Sequence, residues 1–330
     1  MTNILLLSAG RRVELVEAFQ NALATHSPGS RLIAADIQAL APALYHADEA
    51  VLLPSINEPT YIDELCKTID DFDIKLVVPT IDPELLVLAE ARRDIEKRTR
   101  ARVMISEPWV TRITNDKVFT HEHVLSHGLL APSIYESPTD LRDDNFPVIL
   151  KPRAGSSSIG VNRVESREEL KYLLPRTADP MIQELLTGEE YTVDCFSDFD
   201  GAVISVVPRL RIATRAGEIL KGRIVKDPDI INAVKKLLRE LPMPGHSTVQ
   251  CFKTERGVEF IEVNPRFGGG APMSIAAGAD SCSNLVRLLQ GETMSYRDDY
   301  EDGLTFLRYD QAVVLRDGIA IKNREYQRYG

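Results

Sequence analysis

The chain has 330 residues, 44% hydrophobic and 27% charged, enough for two or three domains at about 150 residues each and for cores that need no disulfide or metal support. Its 39 Lys and Arg against 49 Asp and Glu leave a net charge of −10, which argues against a nucleic-acid-binding face or docking on an anionic membrane, though a local cationic cluster remains compatible with it. No apolar run approaches the roughly 20 residues of a membrane span, the apolar stretch near the N-terminus lacks the basic lead of a signal peptide, and Cys66, Cys195, Cys251 and Cys282 form no CxxC, so the expectation is a cytoplasmic protein with reduced thiols.

In chain order, Ile4–Ser8 reads as a buried strand ending in Ala9-Gly10. Arg11–Leu23 follows with helical spacing, placing Val13, Val16, Phe19, Ala22 and Leu23 on one face. Leu32–Ile37 is a second strand and Tyr61–Phe72 a helix. Ile74–Pro79 is a third strand, Pro83–Arg93 a helix and Ala101–Ile105 a short strand. Strands alternating with helices predict a parallel α/β sheet of Rossmann-like type, whose ligands gather at the carboxyl ends of strands, here Ser8–Arg11, Asp36 and Thr80–Asp82. SAGRRV offers a single glycine where a dinucleotide fingerprint needs GxGxxG, which argues against NAD. Trp109–Gly128 reads as one helix, capped by Thr114 or Asn115. From Pro147 the pattern turns to α+β, with hairpin turns at Asp198–Gly201 and Ala216-Gly217, a helix over Pro228–Leu241, strands over Ser247–Lys253 and Val258–Val263, and a largely helical Pro272–Gly291. The tail Lys322–Gly330 is polar and reads as loosely held. The domain division predicted is 1–108, 109–185 and 186–330.

Five features of the second part suit a metal-bound nucleoside triphosphate. Lys151-Pro152-Arg153-Ala154-Gly155-Ser156-Ser157-Ser158-Ile159-Gly160 ends a strand in a lysine and continues as a small-residue loop able to turn N–H groups onto phosphate oxygens; it is not a Walker loop, because no Lys-Ser/Thr follows its glycines. Lys117 opens a helix as a second cation. The stretch from Gln183 to Asp194 offers backbone groups around Glu184, Leu185 and Leu186 to an adenine edge and Glu190 to ribose hydroxyls. In Phe260–Phe267 strand alternation puts Glu262 and Asn264 on one face with Arg266 behind. With Gln250 these are oxygen ligands suited to Mg²⁺, and a carboxylate in so apolar a strand is costly without charged partners. Arg209, Arg211, Arg215, Lys221 and Arg223 form a cationic hairpin against Glu218 alone. His123 and His127 have i,i+4 spacing, but HVLSH lacks the glutamate of HExxH and reads as a solvated helix face. Cys195 and Cys251 read as small core residues, and Trp109 as a packing residue at a domain junction.

KPRAGSSSIGV, QELLTGEEYTVD and FIEVNPRFGGG, in that order, resemble the ATP-grasp superfamily, most nearly the carbamoyl-phosphate synthase large-subunit type with a single ATP-grasp unit. The resemblance implies a pre-ATP-grasp domain followed by an ATP-grasp fold. It implies ATP and Mg²⁺ as cofactors, with Mn²⁺ as an alternative ion. Lys117, Lys151, Gly155–Gly160, Glu184–Leu186 and Glu190 would hold the nucleotide, and Gln250, Glu262 and Asn264 the metal. Arg266 would lie near the transferred phosphoryl group, with Arg211 and Lys221 toward the acceptor. The activity implied is an ATP-dependent ligase that makes an acyl phosphate from a carboxylate and passes the acyl group to an amine, both small molecules. The alternatives are a bicarbonate-using activity of the carbamoyl-phosphate synthase or carboxylase kind, and a silent ATP-binding regulator. Relatives of this type are often dimers, so a homodimer is implied, with no interface identified.

Overall fold

The computed structural model describes residues 1–155 and 159–321; the serines 156–158 of the expected phosphate loop and the tail 322–330 lie outside the described residues. The first layer runs β1 (Asn3–Leu6), α1 (Val13–His26), β2 (Leu32–Asp36), β3 (Glu49–Leu52), α2 (Tyr61–Asp71), β4 (Ile74–Val78), α3 (Asp82–Arg98) and β5 (Arg102–Val103). Its strands pair in parallel in the order β3-β2-β1-β4-β5. Alternation divides the strand residues between two cores. Ile4, Leu6, Leu32, Ala34, Leu76 and Val78 pack against α1, whereas Leu5, Ile33, Ala35, Ile74 and Val77 pack against α2 and α3. Both faces are therefore buried, as a parallel sheet with helical crossovers requires. The order reverses at β1, so the ends of β1 and β4 form the switch point where such sheets bind ligands.

A link of two helices follows, α4 (Pro108–Asn115) and α5 (Lys117–Ser126). The single helix expected over Trp109–Gly128 is thus broken at Asp116. That residue is extended, and its carboxylate accepts from the N–H groups of Val118 and Phe119, so it caps the second helix in place of Thr114 or Asn115. Trp109, expected to pack at a junction, is 44% exposed.

The next layer comprises β6 (Ile134–Tyr135), β7 (Val148–Pro152), β8 (Asn162–Val164), α6 (Arg167–Leu173) and β9 (Pro180–Glu184), with sheet order β6-β9-β7-β8 and a small core around Val148, Leu150, Leu170 and Ile182. The third layer holds β10 (Glu189–Ser197), β11 (Val203–Arg215), β12 (Glu218–Ile224), α7 (Pro228–Glu240), β13 (Gly245–Thr254), β14 (Gly257–Asn264), α8 (Ala271–Ala276), α9 (Ser281–Leu289) and β15 (Thr305–Leu307). Its sheet is antiparallel in the order β14-β13-β10-β11-β12-β15. One face carries Tyr191, Val193, Cys195, Val249, Cys251, Phe260 and Val263, buried against Ile230, Val234, Leu237 and Leu238 of α7. Helices α8 and α9 return to α1. Phe267, Ala271, Cys282, Leu285 and Val286 share the core of Phe19 and Leu23, and Phe267 meets Phe19 edge-on at 5.6 Å. Each fully buried Phe, Leu or Val side chain there contributes about 1.5–3 kcal/mol, which holds the switch point of the first sheet against the third layer. All four cysteines are buried and unpaired.

Candidate active site

The second face of the antiparallel sheet is polar. In β10 the residues between the apolar ones are Glu190, Thr192 and Asp194. Register places Thr192 beside Gln250 of β13 and Arg209 of β11, Gln250 beside Glu262, and Thr248 beside Asn264 of β14. This face floors a cleft of about 430 Å³. The opposite wall comes from β7, β9 and the loop after β7, with Lys151, Gly155, Glu184, Leu185 and Leu186. The end wall comes from the first layer, through Arg12, Ile81 and Asp82. Ile149, Leu186, Phe252 and Ile261 supply an apolar part of the lining.

Lys151 is buried and donates to Gln183 Oε1 at 2.7 Å; burial, with Lys117 adding to it, pulls its ammonium down to about 8 despite the opposing pull of Glu262. Lys117 Nζ donates to the Gly155 carbonyl at 2.6 Å, tying the start of α5 to the loop. Asn264 Nδ2 donates to Glu262 Oε1 at 3.1 Å, and Asn264 Oδ1 accepts from Arg266 Nη2 at 3.3 Å. Arg266 is in turn held by both oxygens of Asp82, at 2.9 and 2.5 Å. Arg211 Nε lies 3.0 Å from Glu190 Oε1, an ion pair off hydrogen-bond alignment, while its other nitrogens donate to Thr192 Oγ1 and the Gly217 carbonyl. Burial raises the Glu190 carboxyl above its usual range and lowers the Arg211 guanidinium.

Two family descriptions match the chain in order: a PylC-like N-terminal domain over residues 4–101, and an ATP-grasp in the biosynthetic pathway with Ter operon over residues 176–312. The chain is 22% identical to the 3-methyl-D-ornithine–L-lysine ligase of Methanosarcina mazei, across 93% of this chain and 78% of that protein. It is 25% identical to the D-alanine–D-alanine ligase of Lacticaseibacillus casei, across 58% of this chain and 61% of that protein. Its fold is similar to the biotin carboxylase domain of the Hydrogenobacter thermophilus 2-oxoglutarate carboxylase, a dimer in complex with MgADP and bicarbonate, with TM-score 0.73, 18% identity, and coverage of 92% of this chain and 73% of that one. Residues 176–312 thus match an ATP-grasp family, and the chain is similar to ATP-grasp ligases and carboxylases.

Of the residues read as binding nucleotide and metal, Lys117, Lys151, Gly155, Glu184–Leu186, Glu190, Gln250, Glu262 and Asn264 line this one cleft, and others do not. Lys221 does not line the cleft. It precedes Gly222 in β12, and since Gly222 pairs with cleft-facing Arg211, the pleat turns Lys221 to the other side, where it is exposed. The cationic hairpin is split likewise: Arg209 and Arg211 face the cleft, Arg215 pairs with Asp310, and Arg223 is exposed. Gly160 is exposed and outside the cleft lining. The Glu184 carboxylate is held by the Ser133 N–H and Arg256, and its own N–H donates to the Ser133 carbonyl, so the backbone free of strand pairing begins at Leu185. The His123 and His127 rings lie 4.3 Å apart, with His127 near Glu240, and among the described residues no group of three His, Cys, Asp or Glu is placed to hold a metal.

Sequence reasoning passed over a second tier. Arg209, 1% exposed, makes a two-point pair with Asp194, through Nε at 2.7 Å and Nη2 at 2.9 Å. Burial acts to raise the Asp194 carboxyl, but Arg209 and His246 outweigh it and hold it far below the usual range. The Gly268–Gly270 run is explained by this tier. A Cβ would stand 2.8 Å from Thr248 Oγ1 at 268, 3.1 Å from the Glu218 carboxyl carbon at 269, and 2.4 Å from Arg209 Nη1 at 270. The three glycines were visible in the sequence; the side chains that demand them were not.

Proposed function

We propose that this chain is an ATP- and Mg²⁺-dependent ligase that activates a small carboxylate as an acyl phosphate and transfers the acyl group to an amine. The observation that carries the reading is the convergence of Lys117, Lys151, Glu190, Gln250, Glu262, Asn264 and Arg266 on one cleft. The two ligase relatives and the MgADP of the carboxylase neighbour support it. Gln250 and Glu262 adjoin across two strands, with Asn264 two residues on, and their hard oxygen donors fit Mg²⁺. When bound, that ion supplies charge neutralisation between phosphate oxygens.

The side chains do the rest. Lys151 and Lys117 hold the phosphates from the wall opposite the sheet. Glu190 accepts from ribose, and the backbone at Leu185 and Leu186 meets the base among Ile149, Phe252 and Ile261. Arg266, aimed by Asp82 and Asn264, offsets charge growing on the transferred phosphoryl group, so catalysis is chiefly positioning and preorganised charge. The loop around Gly155, anchored by Lys117, shields the acyl phosphate from water. Arg211 lies toward the acceptor.

The test is ADP release across a panel of carboxylic acids and amines with MgATP. Release should require an acid and be accelerated by an amine, and Glu262→Gln should reduce it by about 10²–10³-fold. Release driven by bicarbonate alone would move the reading to the carboxylase type. Full activity in Glu262→Gln would remove the metal assignment.

A further inference from the structure

Lys117 and Lys151 belong to different elements, one opening α5 and the other near the end of β7, yet the reading above needs both to reach the phosphates of one nucleotide. They stand close enough for Lys117 to add to burial in lowering the Lys151 ammonium. Two ammonium groups brought together repel each other, so a contact must hold α5 and β7 in register. One residue bridges the two elements and has no part in the reaction described so far. Arg153 follows β7 directly, and while Lys151, Pro152, Ala154 and Gly155 line the cleft, Arg153 is not among the lining residues.

Arg153 grips α5 with both its side chain and its backbone. Nη2 donates to Asp116 Oδ2 at 2.6 Å and Nε to Asp116 Oδ1 at 3.3 Å, a two-point pair. The Arg153 carbonyl accepts from the Lys117 N–H at 3.0 Å, and the Arg153 N–H donates to the Asp179 carbonyl at 3.0 Å. The guanidinium also lies 5.4 Å from the centre of the Phe119 ring, with Asp179 Oδ2 3.9 Å from Nε. Asp116 meanwhile caps α5, accepting from the N–H groups of Val118 and Phe119 at 2.8 and 3.3 Å. Burial acts to raise its carboxyl, but Arg153 and those two N–H groups outweigh it and hold it below the usual range. Lys117 then turns back to the loop and donates to the Gly155 carbonyl. The end of the strand and the start of the helix are thus closed into a ring through Arg153, Asp116, Lys117 and Gly155.

Resting on the nucleotide site read above, we propose that Arg153 is a positioning residue: by clasping Asp116 it sets where Lys117 stands relative to Lys151, and so how the two ammonium groups share the phosphates. It touches no substrate itself. Without the clasp, α5 keeps its Asp116 cap, but its first turn is no longer fixed to the end of β7 by a charged pair. The loss falls on the phosphate end of the nucleotide, because the base end is met from β9 and the residues after it, at Leu185 and Leu186. The side chains of the pair keep 30% and 22% exposure, so the clasp adds little to overall stability while it governs one contact.

The experiment measures the affinity of the full chain for MgATP by calorimetry and for adenosine by competition, with melting curves alongside. Arg153→Gln should raise the MgATP Kd by about tenfold or more, leave that of adenosine within about twofold, and keep the melting temperature within about 3 °C of wild type. Arg153→Lys, which keeps the charge but not the fork, should recover part of the loss. In a Lys117→Met background Arg153→Gln should add less than about twofold, because the side chain it positions is gone. A merely structural residue would weaken both ligands alike and act equally with or without Lys117. An unchanged MgATP Kd in a folded Arg153→Gln, equal losses for MgATP and adenosine, or the whole loss persisting in the Lys117→Met background overturns the proposal. If Arg153→Gln melts early, Arg153→Lys is carried through the same comparisons; if adenosine binds too weakly to titrate, the Lys117→Met background decides. In all these failures a wild type that binds MgATP leaves the function proposed above standing, and a wild type that does not bind it overturns both.

Discussion

The two large sheets handle charge in opposite ways. The parallel sheet buries both faces, so its polar chemistry is expelled to strand ends, where Arg12, Asp82 and Glu84 gather at the switch point. The antiparallel sheet buries one face under α7 and turns the other toward the cleft, so its chemistry is written along the strands at every second residue. The first sheet therefore contributes through loop position, and the second through parity. A substitution in the first should be felt through backbone geometry and burial. In the second its effect should depend on which face it occupies.

The sharpest challenge to the parity argument is Gly270→Ala. The backbone there is unstrained, at φ −98°, so the only obstacle is the 2.4 Å approach to Arg209 Nη1. Arg209 has no room to retreat while Asp194 holds two of its nitrogens. We expect a loss of about 2–4 kcal/mol in urea unfolding, since overpacking and disturbance of a buried ion pair act together. A loss below about 0.5 kcal/mol would mean that the paired arginine is not the rigid element described here.

For the strand-end argument the counterpart is Glu84→Gln. Glu84 is fully buried at the start of α3, and burial raises its carboxyl to about 7 even though it accepts from Thr80, Ile81 and Ser8. A raised carboxyl makes the folded state bind the proton more tightly than the unfolded chain. Stability should therefore fall as pH rises from about 4.5 to about 7, by up to about 3 kcal/mol, and change little from this source outside that window. Glutamine preserves the acceptor without the charge. The stability difference between wild type and variant should shift in the variant's favour across that range, read from urea midpoints. Parallel pH profiles would show that Glu84 carries no such cost.

Parts of this arrangement were legible in the chain and parts were not, for a physical reason. Glu262 and Asn264 could be assigned to one face because strand alternation is local, and Lys151 to the cleft wall because a strand ending before a small-residue loop is also local. The pair between Asp82 and Arg266 joins residues 184 positions apart, and no spacing rule reaches that far. The edge strand Glu49–Leu52 was missed because its apolar run, Ala50–Leu53, is only four residues long and half exposed. The helix start at Asp116-Lys117 is legible, whereas the separate short helix before it is not, because the apolar spacing continues across the break. Lys221 was misplaced because a run of cations looks uniform in sequence, whereas adjacent strand residues point to opposite faces.

A smaller effect probes the cleft wall opposite the sheet. Lys151 is held near 8 by burial, so in the free protein it loses charge across the alkaline range, while an anionic nucleotide favours its protonated form. Nucleotide binding should then take up a proton, and MgADP affinity should fall about tenfold from about pH 7 to about pH 9. Lys151→Arg, which stays charged throughout, should flatten the profile even if its affinity is lower. A wild-type affinity indifferent to pH over that range would place Lys151 away from the phosphates.

The least effect should come from Lys221→Ala, and its smallness is what gives it force. Lys221 and Arg211 lie on neighbouring strands, carry the same charge and are separated by one pairing step, so composition alone gives them equal claims on an anionic ligand. Pleating divides them. Arg211 is buried between Glu190, Thr192 and Gly217 in the cleft, and Lys221 is exposed beside the edge strand that carries Leu307. An exposed lysine away from the ligand acts only through a screened field, so kcat and the MgATP Kd should stay within about twofold in Lys221→Ala. Arg211→Ala strands Glu190 without its partner and should lower kcat/KM by about tenfold or more. Equal losses in the two variants would mean that the hairpin acts as one cationic patch, and that the face on which a residue sits does not govern its contribution here.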